Sequence, residues 1–374
     1  MNDPKQTTKV LHVIGGMNRG GAETFLMNVL RNIDRNKFDF IFLCYGDKKF
    51  DYEDEIARLG GRIVRIPDVK NVGIRVHIQH LRRAMLENGV DIVHAHTYYN
   101  SLFSLIAAKL GGIRLRIAHS HNTQSEPNPS LAKRVYFLVS KIGIELFANK
   151  FVACGNDAGR ALYMQWRKFQ VINNGINIKD FVYDQNNRNS IRTELGINKN
   201  TTVLMHAGRF AEVKNHDFLI DTFAEYQKYD PKSRLILVGD GPLRKKTEDK
   251  VEKLNLSNAV KFLGLRSDVY RIYSAADAFV FPSIFEGLPV VLVEAQANGI
   301  KCIISDAVDK DVKVTDSVIF HSLSVGPKAW ARHIFEASKA RVDNSQILAN
   351  GAYDMSANIN SIQMMYSGAR NAKR

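Results

Sequence analysis

An apolar run closing at Phe281 is followed by Pro282-Ser283-Ile284-Phe285-Glu286-Gly287-Leu288-Pro289, then by Val290–Ala295, a stretch apolar except for Glu294. The pattern predicts a strand, a turn at Glu286-Gly287 and a helix opening at Leu288. Glu294 would then lie about 9 Å along that helix, at ~1.5 Å per residue. Two carboxylates so separated can touch opposite ends of one elongated ligand, while the free N–H groups of Gly287 and Leu288 hold an anion between them. A sugar nucleotide has that layout of sugar, diphosphate and ribose. An acid set among Val291, Leu292, Val293 and Ala295 ordinarily has a partner or a task.

Cations suited to a phosphate stand earlier in the same half. Ala207-Gly208-Arg209 ends an apolar run and Lys214-Asn215 opens the next helical pattern. Arginine offers a planar fork and lysine a compact charge, and both suit a diphosphate. Gly239-Asp240-Gly241 is a second glycine turn of the same kind. Near the amino terminus, Gly15-Gly16-Met17-Asn18-Arg19-Gly20-Gly21 lies between a strand and a helix, where backbone N–H groups can approach an anion. Its spacing is not the G-x-G-x-x-G of dinucleotide sites.

His94-Ala95-His96 and His119-Ser120-His121 close two neighbouring predicted strands. A zinc centre needs three or four converging ligands. Local hydrogen bonding is preferred for most of these histidines, and a functional role, in proton transfer or ligand contact, for His121. Asp309-Lys310-Asp311 has a D-x-D spacing but sits in a mixed-charge run and reads as a solvated turn. No metal site is expected.

The elements that must position these residues follow one rhythm. Predicted strands at 10–14, 38–43, 63–66, 91–95, 114–118, 150–153 and 169–172 alternate with helical patterns, and a second series runs at 202–207, 234–238, 259–262, 278–281 and 301–304. Near-continuous apolar strands separated by helices mean parallel sheets covered on both faces. Asn173-Asn174-Gly175 is turn chemistry, and the polar run Tyr183–Ser190 reads as linker. The expectation is therefore an α/β protein of two doubly wound, Rossmann-like domains, 1–180 and 181–354, facing each other across a cleft, with a closing segment 355–374.

The 374 residues are 24% charged and 45% hydrophobic, which suits two globular domains and excludes collagen-like and disordered classes. Cys44, Cys154 and Cys302 are too few and too scattered for a disulfide framework, so they read as free thiols of a reducing cytosol. The apolar stretch Val10–Ile14 is short for a signal peptide, and no run approaches the ~20 residues of a membrane span. Net charge is +14, of which residues 1–180 hold +10. Such a half suits an anionic partner. Lys133, Arg134 and Lys141 around Val135–Leu138, with Arg114 and Arg116, suit contact with an anionic inner-leaflet membrane surface and a lipid-linked acceptor. No nucleic-acid reader motif accompanies the charge.

Together, RGGAE (19–23), HSHN (119–122), NNGIN (173–177), GRFAEVKN (208–215), VGDGP (238–242) and FEGLPVVLVEA (285–295) resemble the family 4 glycosyltransferases of the GT-B fold, especially bacterial enzymes of exopolysaccharide and capsule assembly. Glu286 and Glu294 match that family's E-x7-E signature. The resemblance implies retaining transfer of a sugar from a nucleotide-diphosphate donor, a UDP-sugar by family frequency, without a bound metal or other cofactor. It implies that Arg209 and Lys214 neutralise the diphosphate, Glu286 contacts sugar hydroxyls and Glu294 accepts from the ribose. Gly287, Leu288 and Pro289 would approach phosphates and sugar, as would Gly20 and Gly21 from the first domain. Gly208, Gly239 and Gly241 would line the donor site, and His121 would stand near sugar and acceptor. The acceptor would be lipid-linked or an oligosaccharide, met in the cytoplasm or at the membrane's inner face. Two other readings stay open: a sugar-nucleotide epimerase of the same fold, and a non-catalytic subunit that binds donor or lipid within a polysaccharide assembly complex.

Overall fold

Long apolar strands that cannot face water on either side are what build this molecule. In the computed structural model, which describes residues 7–122, 129–286, 289–337, 340–349 and 351–371, they form two parallel sheets in two separate units. The first unit runs to Gly175 and regains the chain from Met355, and the second is Ile176–Asp354. The first sheet contains β1 (Thr8–Val13), β2 (Phe38–Tyr45), β3 (Arg62–Ile66), β4 (Ile92–Ala95), β5 (Leu115–Ser120), β6 (Lys150–Ala153) and β7 (Gln170–Val171). Its order is β3-β2-β1-β4-β5-β6-β7. The second contains β8 (Val203–Ala207), β9 (Arg234–Val238), β10 (Val260–Gly264), β11 (Ala278–Phe281), β12 (Lys301–Ser305) and β13 (Val318–His321), in the order β10-β9-β8-β11-β12-β13.

Each order reverses once, between β1 and β4 and between β8 and β11. At such a switch the two following loops diverge, leaving a crevice beyond the strand ends. The segments at the two switches carry the residues of interest: Gly15–Gly21 and His96 in the first unit, Gly208–Lys214 and Pro282–Glu286 in the second.

The carboxyl-terminal helix Met355–Asn371 belongs to the first unit. It buries Met355, Ile359, Ile362, Met365 and Tyr366 against Val10, Phe38 and Phe40. That spacing is one face of a 3.6-residue period.

Three expectations need correction. The run read as linker, Tyr183–Ser190, leads into a helix, Gln185–Glu194, whose N-cap Asp184 accepts from the backbone of Asn187 at 2.6 Å. Arg188 and Arg192 on that helix both bond Asp277, so charge fixes the helix where apolar residues are scarce. The strand β13 was not foreseen, although Val318-Ile319-Phe320 is an apolar run. The helix carrying Glu294 begins at Val290 behind an extended Pro289, not at Leu288. Glu294 is therefore about 6 Å from the helix start rather than 9.

Candidate active site

In the second unit, parallel pairing of β8 with β11 sets their carboxyl ends side by side. The loop after β11 is tied to the loop after β8 by Ile284 N–H donating to the Val213 carbonyl at 2.9 Å. This brings Lys214 Nζ to 2.6 Å from Glu286 Oε1, an ion pair whose two side chains are only 14% and 19% exposed. Lys214 also lies 4.6 Å from the centre of the Phe281 ring. Arg209 in the same loop is exposed, and its side chain has no ion pair among the described residues. Asn215 takes a left-handed conformation, φ 55°, to end the short turn Glu212–Lys214 and start the helix His216–Tyr226. Asparagine tolerates that region better than most residues.

The glycines after β8 and β9 have a packing reason. Gly208 N–H donates to the Val238 carbonyl at 2.9 Å, and Phe210 N–H to that of Asp240 at 3.1 Å. At Gly239, φ is +134° and a Cβ would collide with the Gly208 carbonyl. At Gly241 a Cβ would stand 2.8 Å from the Phe210 nitrogen. Two backbone loops thus touch with no room for side chains between them. Gly208 has a Cβ position 3.2 Å from both His206 Nε2 and Lys214 Cε, so a larger residue would press on the lysine.

Glu294, partly buried, accepts from the Tyr273 hydroxyl at 2.9 Å. Burial pushes its carboxyl up to about 7, with the tyrosine bond pulling the other way. Near neutral pH it is therefore shared between acid and carboxylate. Tyr273, from the helix Val269–Ala275, was not singled out in sequence because nothing short of the fold brings it to Glu294. Gly287 and Leu288 lie outside the described residues. Pro289 is the N-cap of the Glu294 helix and offers no N–H, so the free donors there belong to Val290 and Val291. Asp309 caps the turn Lys310–Val312 by accepting from Asp311 N–H at 2.9 Å, as a solvated turn would.

In the first unit, Gly20 is the N-cap of the helix Gly21–Asn32. The Glu23 carboxylate folds back to where a Gly20 Cβ would stand, whereas a Cβ on Gly21 would meet nothing. Burial raises the Glu23 carboxyl. His121 follows β5 and bonds His96, Nε2 to Nδ1, at 2.9 Å. Burial depresses its imidazole to about 4, against a smaller opposing pull from Asn174. His121 is thus neutral at physiological pH and can exchange hydrogen bonds with a ligand without adding charge. His12 on β1, also absent from the sequence expectations, joins this cluster through His96 at 3.1 Å. A histidine within the apolar run Val10–Val13 was the signal.

Residues 19–180 match the family described as Glycosyltransferase Family 4, and residues 187–334 match Glycosyl transferases group 1. Over 369 residues the chain is 37% identical to EpsF of Bacillus subtilis (strain 168), covering 96% of each protein. It is 28% identical over 333 residues to the UDP-Gal:alpha-D-GlcNAc-diphosphoundecaprenol alpha-1,3-galactosyltransferase of Escherichia coli, covering 82% of this chain and 81% of the relative. Among solved structures, Anabaena HepE in complex with UDP-glucose superimposes with a TM-score of 0.77 at 21% identity, over 96% of this chain and 99% of that one. Two Rossmann-like parallel-sheet domains define the GT-B class of fold. The chain belongs to the family 4 glycosyltransferases. It is therefore a sugar-transferring enzyme by family.

Proposed function

We propose that this protein moves a sugar from a UDP-sugar to a lipid-linked or oligosaccharide acceptor in exopolysaccharide or capsule assembly, with retention at the anomeric carbon and without a metal at the diphosphate. The second unit is assigned the donor and the first the acceptor. The observation that carries the reading is the Lys214–Glu286 pair at the β8/β11 switch, with the exposed Arg209 in the same loop as the lysine. When the anomeric carbon–oxygen bond breaks, negative charge develops on the departing diphosphate. Arg209, Lys214 and the free N–H groups opening the Glu294 helix would stabilise that charge. Glu286 would exchange its bond to Lys214 for the donor sugar's hydroxyls, so the ion pair holds both groups in place until the ligand arrives. The acceptor hydroxyl would attack on the face the leaving group vacates and pass its proton to a phosphate oxygen. Glu294 would accept from the ribose hydroxyls while Tyr273 orients it. His121, just past the end of β5, would stand near the sugar and acceptor. The Escherichia coli relative, whose name specifies a UDP-galactose donor and a diphosphoundecaprenol acceptor, supports both substrate classes.

A membrane-bound acceptor also suits the helix Leu131–Phe147. Leu131, Val135, Leu138, Val139, Ile142 and Leu146 are all exposed on it, Leu131 to 79% and Leu146 to 72%. Lys133, Arg134 and Lys141 accompany them, while Tyr136 and Phe137 pack inward. An apolar stripe with basic neighbours is the pattern of a helix that lies in an anionic lipid interface. Among the described residues no helix is long and apolar enough to cross a membrane.

Calorimetric titration with UDP in EDTA, with GDP as comparator, tests the donor site. Saturable UDP binding is expected, and absence of binding by folded protein overturns the reading. Turnover of UDP-sugars with and without undecaprenyl-diphosphate sugar acceptors separates transfer from epimerisation, which needs no acceptor. An inverted product, read by NMR of the new anomeric proton, would overturn retention.

A further inference from the structure

Five histidines of the first unit share one buried cluster: His12 from β1, His94 and His96 at the end of β4, and His119 and His121 at the end of β5. Their ten ring nitrogens can be accounted for one by one. His12 Nδ1 meets His96 Nε2 at 3.1 Å, His96 Nδ1 meets His121 Nε2 at 2.9 Å, and His94 Nε2 meets His119 Nδ1 at 3.1 Å. His94 Nδ1 meets the Tyr366 hydroxyl at 2.8 Å. His12 Nε2, His119 Nε2 and His121 Nδ1 are buried and have no partner among the described residues, and neither has the nearby Asn174 Oδ1. Buried polar side-chain atoms are ordinarily paired, so three unpaired in one cluster call for an explanation.

One choice of tautomers resolves most of them and leaves one lone pair on each of His96, His119 and His121. With His96 donating from Nε2 to His12, its Nδ1 is a free lone pair. With His119 donating from Nδ1 to His94, and His94 donating to Tyr366, His119 Nε2 is another. With His121 donating from Nδ1 towards the orphan Asn174 Oδ1, its Nε2 is the third. One ring nitrogen from each of His96, His119 and His121 lies within 4.8 Å of the other two. From this convergence we infer that His96, His119 and His121 form a binding site for a divalent first-row transition metal, zinc by ligand type, with His12, His94 and Asn174 orienting the ligands.

Three imidazoles, each donating its other N–H to a fixed acceptor, are what such a site requires. Tetrahedral zinc with Zn–N of about 2.0–2.1 Å sets ligand nitrogens roughly 3.3 Å apart, so His96 and His121 need only separate by a few tenths of an ångström. The other possible triad, His12, His94 and His96, is disfavoured because His94 would have to give up a partner outside the triad, the Tyr366 hydroxyl or His119, whereas His96 Nδ1 faces only its fellow ligand His121. His121, only partly buried, gives the ion its way in. The site belongs to the first unit, whereas Lys214 and Glu286 belong to the second. It would pin β4 and β5 together and, through His94 and Tyr366, the carboxyl-terminal helix.

The test uses untagged full-length protein, stripped by chelator and titrated with Zn2+, with bound metal counted by mass spectrometry. One zinc per chain is expected, with affinity at least about 10-fold weaker in His119→Gln, His121→Gln and Asn174→Ala. Replacement by Co2+ should give the intense visible bands of a four-coordinate nitrogen site, a readout on unmutated protein should a variant fail to fold. No retention of zinc by folded wild-type protein at micromolar concentration overturns the inference. Unchanged affinity in all three variants overturns it too, by placing the ion elsewhere, for example on His321 and His333, whose rings stack 4.1 Å apart in the second unit. A parallel UDP titration shows whether the donor site is intact.

Discussion

The two units build polar clusters at the same topological place with opposite electrical character. At the β1/β4 switch the cluster is five neutral imidazoles held off water and uncharged by burial. At the β8/β11 switch it is an ion pair, Lys214–Glu286, with an exposed arginine in the loop that carries the lysine. A neutral cluster can hold a soft cation or orient a hydroxyl but cannot stabilise a departing diphosphate. The charged cluster can, because its lysine is already desolvated and aimed before charge develops. One fold repeated twice thus carries different chemistry, set by the side chains at the strand ends.

The sharpest way to break that contrast is Lys214→Ala. It removes the cation and leaves Glu286 mostly buried and unpaired, so transfer kcat/KM should fall by about 10²–10³-fold. A smaller loss than for His121→Ala, measured in the same assay, would move the leaving-group chemistry out of the second unit. Next comes Gly239→Ala, which drives a methyl into the Gly208 carbonyl. Strain of this kind should cost about 2–4 kcal/mol in denaturant unfolding. Activity and stability should fall together there, whereas Lys214→Ala should chiefly lose activity.

Glu294 offers a pH test with a definite sign. Its folded carboxyl titrates at about 7 against an ordinary 4.5, so the folded state holds the proton more tightly than the unfolded chain. The stability this group contributes is present below pH 4.5 and is lost as pH rises towards 7. Nucleotide binding should move the other way, since the ribose acceptor is the carboxylate. UDP affinity should rise through the same window, and Glu294→Gln should flatten that rise and weaken binding by about 10-fold, the worth of one hydrogen bond to a charged group. A slope unchanged in the variant would remove Glu294 from the ribose. The smallest effect belongs to Leu138→Glu on the exposed helix. It should reduce co-sedimentation with anionic vesicles several-fold and leave UDP affinity untouched, separating the surface of the first unit from the donor site of the second.

Much of this was legible in the chain. Strand–helix alternation with apolar strands required parallel sheets, and each glycine turn after a strand marked a loop at a sheet's carboxyl edge. Glu286, Arg209 and Lys214 stood out because charge beside such a turn has few bland uses. Other features were hidden for reasons of kind. The helix Gln185–Glu194 carries little apolar periodicity, and its anchor is Asp277, far away in sequence. Gly239 and Gly241 looked like ligand-facing glycines, while the loop-on-loop contact that requires them belongs to two different βα units.

The order of residues alone therefore determined the class of fold, the family and the edge of each sheet where chemistry would gather, because hydrophobic period and turn residues act over short stretches. Only the tertiary structure decided that Lys214 holds Glu286, that Tyr273 orients Glu294, and that His12, His94 and Tyr366 close a network around His96, His119 and His121. Those partners come from strands and helices up to 272 residues apart. Which of them meet is set by strand order and by the packing of the carboxyl-terminal helix, and no local pattern encodes either.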